Sequence, residues 1–175
     1  MVARRLIGMT LLVEGVGGII VETEAYDRED PASHSFSGPT ARNAVMFGPP
    51  GRAYIYLSYG IHWCLNVVCR EPGHGAGVLI RALEPTEGIA LMMRRRGRSD
   101  LESLCNGPGK LGQALSISPG LNGKRLDRKP FRLSGAGSRA AIVRGPRIGI
   151  TKAVDQPWRF GLAGSAYLSH PFPKD

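Results

Sequence analysis

The chain lacks any apolar run long enough to cross a membrane as a helix, because Arg, Glu or Gly interrupts every candidate. Its opening residues, Met1 to Gly8, hold an apolar stretch too short and too quickly broken for a signal peptide. Cysteine is scarce: Cys64, Cys69 and Cys105 make an odd number, which argues against a disulfide framework and fits ordinary buried thiols in a reducing cytosol. Two common catalytic frames are also missing. Gly109-Lys110 has the ending of a phosphate-binding loop, but Leu111 stands where Ser or Thr belongs and Leu104 where the first Gly belongs. His62, Cys64 and Cys69 could imitate a metal set, yet the His-x-Glu and Pro-Cys-x-x-Cys of a zinc deaminase do not occur.

What is present is the composition of a globular protein. The 175 residues are 42% hydrophobic, which suits one domain over 1–175 with a sizeable core. Acidic residues number 14 against 23 basic ones, and the imbalance is uneven. Residues 1–90 carry a net −2, residues 91–132 a net +7 and residues 133–175 a net +4. A polyanionic partner is expected, nucleic acid first, with the basic stretch 91–132 against its phosphates.

The pattern along the chain predicts an α+β fold: one compact domain around a curved, mainly antiparallel sheet with peripheral helices. A short helix ends before Gly8, Met9 to Val13 is a strand, residues 14–18 form a Gly-rich turn, and Ile19 to Glu24 returns as the hairpin partner. Residues 27–51 are a long loop punctuated by Gly and Pro. Strands follow at Arg52–Leu57, Ile61–Val68 and Val78–Leu83. Strand alternation puts Tyr54 with Tyr56, Cys64 with Asn66, and Leu79 with Arg81 and Leu83. A helix runs from the Glu84-Pro85-Thr86 turn to about Arg96, Gly107-Pro108-Gly109-Lys110 opens another over Leu111 to about Leu115, and closing strands cover Arg147–Thr151 and Trp158–Leu162. Residues 119–145 are rich in Gly, Pro and Arg.

Three residues break the apolar logic of these strands. Arg81 is a cation within Val-Leu-Ile-Arg-Ala-Leu, and a buried cation needs a partner. Asn66 interrupts Trp-Cys-Leu-Asn-Val-Val, and a buried amide needs hydrogen bonds. Glu24 shares a strand face with Glu22 and Tyr26 and is the obvious counter-ion for Arg81. A structural ion pair satisfies these facts. So does a polar cluster ringed by Tyr26, Tyr56 and His34, suited to a flat heteroaromatic ring beside a general base. Glu22 is expected to serve as an internal control, with Glu22→Gln costing far less excision than Glu24→Gln.

An ordered series of motifs runs along the chain: Val-Glu-Thr-Glu-Ala-Tyr (21–26), His34-Ser35, Thr-Ala-Arg-Asn (40–43), Tyr-Ile-Tyr (54–56), Tyr59-Gly60, Cys-Leu-Asn (64–66), Val-Leu-Ile-Arg-Ala-Leu-Glu-Pro (78–85), Cys-Asn-Gly-Pro-Gly-Lys-Leu (105–111) and Arg-Ile-Gly-Ile (147–150). Together they resemble the alkyladenine DNA glycosylase family, also called 3-methyladenine or methylpurine DNA glycosylase. The match covers nearly the whole chain and is weakest at 116–145. By position, the resemblance implies Glu24 as general base, Arg81 as a holder of the attacking water, and Tyr26, His34 and Tyr56 as walls of a flipped-base pocket. It also implies Asn66 as the gate against normal guanine and Tyr59 as the side chain that wedges into the duplex.

The implied activity is that of a monofunctional hydrolase. It would remove 3-methyladenine, 7-methylguanine, hypoxanthine or ethenoadenine from double-stranded DNA and leave an abasic site, with no lyase step. No cofactor, metal or membrane is implied, and a monomer is expected, cytoplasmic and nucleoid-associated if bacterial, nuclear if eukaryotic. A basic nucleic-acid-binding module without chemistry is the rival reading, its aromatics serving as stacking platforms. Glu24 discriminates, since a carboxylate among base-binding aromatics serves no purpose in a pure binder. A small-molecule transferase ranks lower, because no nucleotide or folate site is visible.

Overall fold

The computed structural model describes residues 1–138 and 140–173. Its centre is an antiparallel sheet. Strands β1 (Thr10–Val13), β2 (Val16–Tyr26), β3 (Ala53–Ser58), β4 (His62–Cys69), β5 (Ala76–Glu87) and β6 (Phe131–Ser134) lie in the order β3-β4-β5-β2-β1-β6. Beyond β1, the far half of β2 pairs with β8 (Arg159–Leu162), which in turn pairs with β7 (Ile142–Gly145). Helices α1 (Val2–Leu6), α2 (Ile89–Arg96) and α3 (Pro108–Ala114) are peripheral, so the fold is α+β.

Alternation along β4 and β5 separates core from site. Leu65, Val67, Val78 and Ile80 enter the main core with Met92 of α2 and Leu111 of α3, while Cys64, Asn66, Leu79 and Arg81 face a cavity on the other side. The alternation then resets. Ile20 pairs with Leu83, Glu22 with Ala82 and Thr23 with Ile80, which leaves Val21 on β2 and Arg81 on β5 as extra residues. Such bulges re-aim side chains. Leu83, expected on the face of Arg81, therefore lies in the core instead.

Several boundaries differ from the sequence expectation. The turn between β1 and β2 is only Glu14-Gly15, both at left-handed φ (48° and 77°), as a tight hairpin requires. Gly17 and Gly18 belong to the strand. A Cβ on Gly17 would lie 2.0 Å from the Leu11 carbonyl oxygen, and one on Gly18 would lie 1.8 Å from that of Glu84. These glycines serve close backbone approach rather than turning. β5 continues through Pro85, which pairs with Gly18, and α2 begins only after Gly88. Residues 147–151 are not a strand; the closing hairpin is β7–β8, and β6 also comes from the Gly/Pro-rich stretch. The three cysteines are free and buried, and burial pushes the Cys69 and Cys105 thiols up to about 12.

Candidate active site

A cavity of about 420 Å³ opens between the end of β2, strands β3 to β5 and residues 148–150. Glu24, Tyr26, His34, Tyr56, Tyr59, Asn66 and Arg81, the residues singled out from sequence, all line it. They come from four strands, a hairpin tip and the 27–51 loop. That loop is pinned: Asn43 Nδ2 donates to the carbonyls of His34 (2.8 Å) and Gly38 (3.0 Å), and Ser35 Oγ donates to Gly75 O (2.6 Å).

Glu24 has no exposed surface. Its Oε2 accepts from the Tyr26 hydroxyl at 2.8 Å, and its Oε1 accepts from the Ile148 N–H at 2.8 Å. Arg81 Nη1 lies 3.3 Å from the same Oε1. The expected Glu24–Arg81 pair is present, but Arg81 also faces Glu22, with Nε 3.1 Å from Oε1. Glu22 receives Arg159 Nε at 2.7 Å, the Ser169 N–H at 2.5 Å and the Ser169 hydroxyl at 2.8 Å. Two carboxylates and two guanidiniums thus form one buried cluster of balanced charge. Glu22 is fully buried and accepts from four donors. Tyr26 stays a neutral donor, because burial raises its pKa far above the ordinary phenol value and Glu24 adds to the effect.

The opposite wall is aromatic. The His34 ring meets Tyr56 edge-on at 4.4 Å, Tyr54 stacks beside Tyr56 at 5.8 Å, and His34 Nδ1 is 3.1 Å from the Tyr54 hydroxyl. Burial, and then the Arg42 charge, hold His34 below the usual histidine pKa, so the imidazole is neutral at pH 7. Burial raises Tyr56 strongly, with Cys64 contributing. Asn66 Nδ2 donates to Tyr54 O at 3.2 Å, which fixes the amide on the wall. Sequence reasoning saw Tyr54 beside Tyr56 but gave it no site role.

Arg147 was a more complete omission. Its guanidinium is buried and paired with Asp30, donates to Ala25 O at 3.0 Å, and lies over the rings of Tyr26 (4.7 Å) and Trp158 (5.3 Å). This anchor holds residues 147–150 over the cavity and delivers the Ile148 N–H to Glu24. An Arg before Ile-Gly-Ile was the available cue.

Tyr59 sits at the β3–β4 tip, 84% exposed. Both Tyr59 (φ 50°) and Gly60 (φ 71°) are left-handed, and Ile61 N–H closes the turn on Ser58 O at 3.0 Å. A bulky residue in that conformation costs about 1–3 kcal/mol. The ring is held at the mouth of the cavity, its hydroxyl 3.5 Å from Gly149 O. Part of the basic stretch 91–132 is committed internally: Arg95 Nη1 bonds Ala114 O at 2.8 Å and Arg96 Nη1 bonds Gln113 Oε1 at 2.5 Å, tying α2 to α3. Among the described residues no group of three or more His, Cys, Asp and Glu side chains gathers that could hold a metal ion, and no helix is long and apolar enough to cross a membrane.

The family model described as methylpurine-DNA glycosylase matches residues 1–166. Similar proteins named "Putative 3-methyladenine DNA glycosylase" occur in Nitrosospira multiformis, 66% identical over 98% of this chain and 89% of its own length, and in Rhodopseudomonas palustris, 64% identical over 98% and 86%. One from Rhizobium meliloti is 58% identical over 98% of this chain and 91% of its own length. Agreement of this extent, with the motif residues gathered around one cavity, leaves a single assignment: the chain belongs to the methylpurine-DNA glycosylase family, whose substrate is DNA.

Proposed function

We propose that the protein is a monofunctional purine DNA glycosylase, acting as a monomer on 3-methyladenine, 7-methylguanine, hypoxanthine and ethenoadenine. The observation that carries this reading is the buried Glu24–Arg81 pair (3.3 Å) on the wall of an aromatic cavity. The target base flips out of the duplex, at a few kcal/mol of lost stacking and pairing that a damaged base partly spares. Tyr59 fills the space it leaves. The flipped base enters between Tyr26, His34 and Tyr56. Electron-rich faces of neutral tyrosines favour a cationic alkylpurine, whose glycosidic bond is already weak. Asn66 disfavours the exocyclic amino group of guanine.

Hydrolysis passes through an oxocarbenium-like transition state. Glu24 takes the proton of the attacking water and offsets positive charge on the sugar, and Arg81 helps to hold that water. Among the described residues Glu24 Oε2 accepts only the Tyr26 hydroxyl, so it keeps a lone pair through which the attacking water can bind the carboxylate. The free base departs and an abasic site remains. Among the described residues no lysine lines the cavity, which supports hydrolysis without a Schiff base.

The test uses duplex oligonucleotides that hold hypoxanthine, ethenoadenine or 7-methylguanine. Strand breaks should appear only after alkaline treatment. No breaks on any lesion duplex would overturn the glycosylase reading, and breaks without alkali would overturn the monofunctional one.

A further inference from the structure

Glu22, Arg159 and Ser169 take no part in the reaction just described, yet Glu22 and Ser169 hold Arg81 and Arg159 holds Glu22. We infer that they are positioning residues of the same site, through which the C-terminal segment 165–173 fixes Arg81 and hence the geometry around Glu24. The inference rests on the glycosylase reading and extends it.

The segment is seated by shape and charge. Phe172 packs where a Cβ on Gly161 would lie 2.4 Å from its ring, and the Arg159 guanidinium stacks over that ring at 3.9 Å. Arg159 also donates to the carbonyls of Pro171 (3.3 Å) and His170. Ser169 is thereby placed behind β2. Its N–H and hydroxyl both donate to Glu22, so its oxygen is left to accept from Arg81 Nε and Nη2 at 3.4 and 3.3 Å. Glu22 accepts from the same Arg81 Nε.

Arg81 needs this support because it is the extra residue of a bulge, without a strand partner to set its direction. A guanidinium is planar, so hydrogen bonds on one edge fix the other. With Nε and Nη2 held by Glu22 and Ser169, Nη1 can point only toward Glu24. Freed from them, the guanidinium can swing and pair with Glu24 through two nitrogens, which would occupy the carboxylate that must accept a proton. The side-chain route from the segment to Glu24 runs through Arg81.

The test is single-turnover excision of hypoxanthine by full-length variants, with rate measured against enzyme concentration. Ser169→Ala should lower the maximal rate about 10- to 100-fold, the scale of a misplaced reacting group, and leave the half-saturating concentration unchanged. Ser169→Thr, which keeps the hydroxyl, should recover most of the rate. A folded Ser169→Ala protein with the wild-type maximal rate, or a loss confined to half-saturation, overturns the inference. If Ser169→Ala does not fold, Arg159→Lys tests the same idea, since it keeps the charge at Glu22 but not the bonds to Pro171 and His170. A reduced maximal rate supports the inference and a wild-type rate overturns it. Wild-type protein inactive on every lesion refutes the glycosylase reading itself, whereas active wild type matched by these variants refutes only the positioning role.

Discussion

Replacing Glu22 by Gln should destabilise the protein severely. The carboxylate is fully buried, and the Arg81 and Arg159 side chains bonded to it are only 6% and 3% exposed. The substitution keeps the shape, removes one negative charge and sets an NH₂ group against at least one donor, the Ser169 N–H at Oε2, with the other three left to the amide oxygen. One guanidinium is then left buried without its counter-charge. Breaking a buried pair in this way costs about 3–5 kcal/mol, a large part of the roughly 5–15 kcal/mol that holds a domain folded. For a chain of this size the melting temperature should fall by about 6–20 °C. Circular dichroism melts at neutral pH would report it, and added salt should not abolish the difference, because the cluster is shielded from counterions. Asp127→Asn is the contrast: its bond to Arg125 is short (2.5 Å) but exposed, and the melting temperature should hardly move. A Glu22→Gln protein melting within about 2 °C of wild type would show the cluster to be worth under ~1 kcal/mol, and the reasoning would be wrong.

Three further outcomes are expected. Tyr59→Ala should weaken base flipping roughly five- to 150-fold, from about 1–3 kcal/mol of lost stacking, while leaving folding intact because the ring is exposed; stopped-flow fluorescence of ethenoadenine measures the first, and an unchanged equilibrium refutes the wedge. Asn66→Ser should admit guanine from a mismatch in the excision assay at some loss of stability, and a folded, active variant that still leaves guanine untouched refutes the gate. His34 should make the fold weaker in acid. Its native pKa lies below its unfolded value of about 6.5, so its contribution is complete above that pH and is lost as pH falls through the native value. The urea midpoint of His34→Gln should therefore drop less than that of wild type between pH 7.5 and 5.5, and parallel curves would contradict this.

What could be read from the chain was local or conspicuous. β3, β4 and most of β5 announce themselves by alternation, and a charge or amide inside that alternation marks Arg81 and Asn66 at once. Two glycines after a turn look like more turn, because close approach by Leu11 and Glu84 leaves no mark in the residues nearby. The paired bulges at Val21 and Arg81 have no local cue either, so the face of Leu83 was misassigned. Long-range ties were the most hidden. Asp30 meets Arg147 across 117 residues and Glu22 meets Ser169 across 147, and neither spacing carries a pattern. The Ile148 contribution is a backbone N–H, which every residue but proline could supply.

Glu24→Gln tests the central claim most directly. Gln keeps the shape, its oxygen can still accept from Ile148, and the Tyr26 hydroxyl can turn to accept from the new amide. The base and the negative charge are removed, which leaves the buried cluster with one cation in excess, so a thermal melt first establishes that the variant is folded at the assay temperature. General-base assistance is worth about 10²- to 10⁴-fold, so single-turnover excision of hypoxanthine should fall by at least that order while binding to the lesion duplex survives. Excision by Glu24→Gln at near the wild-type rate would contradict the account.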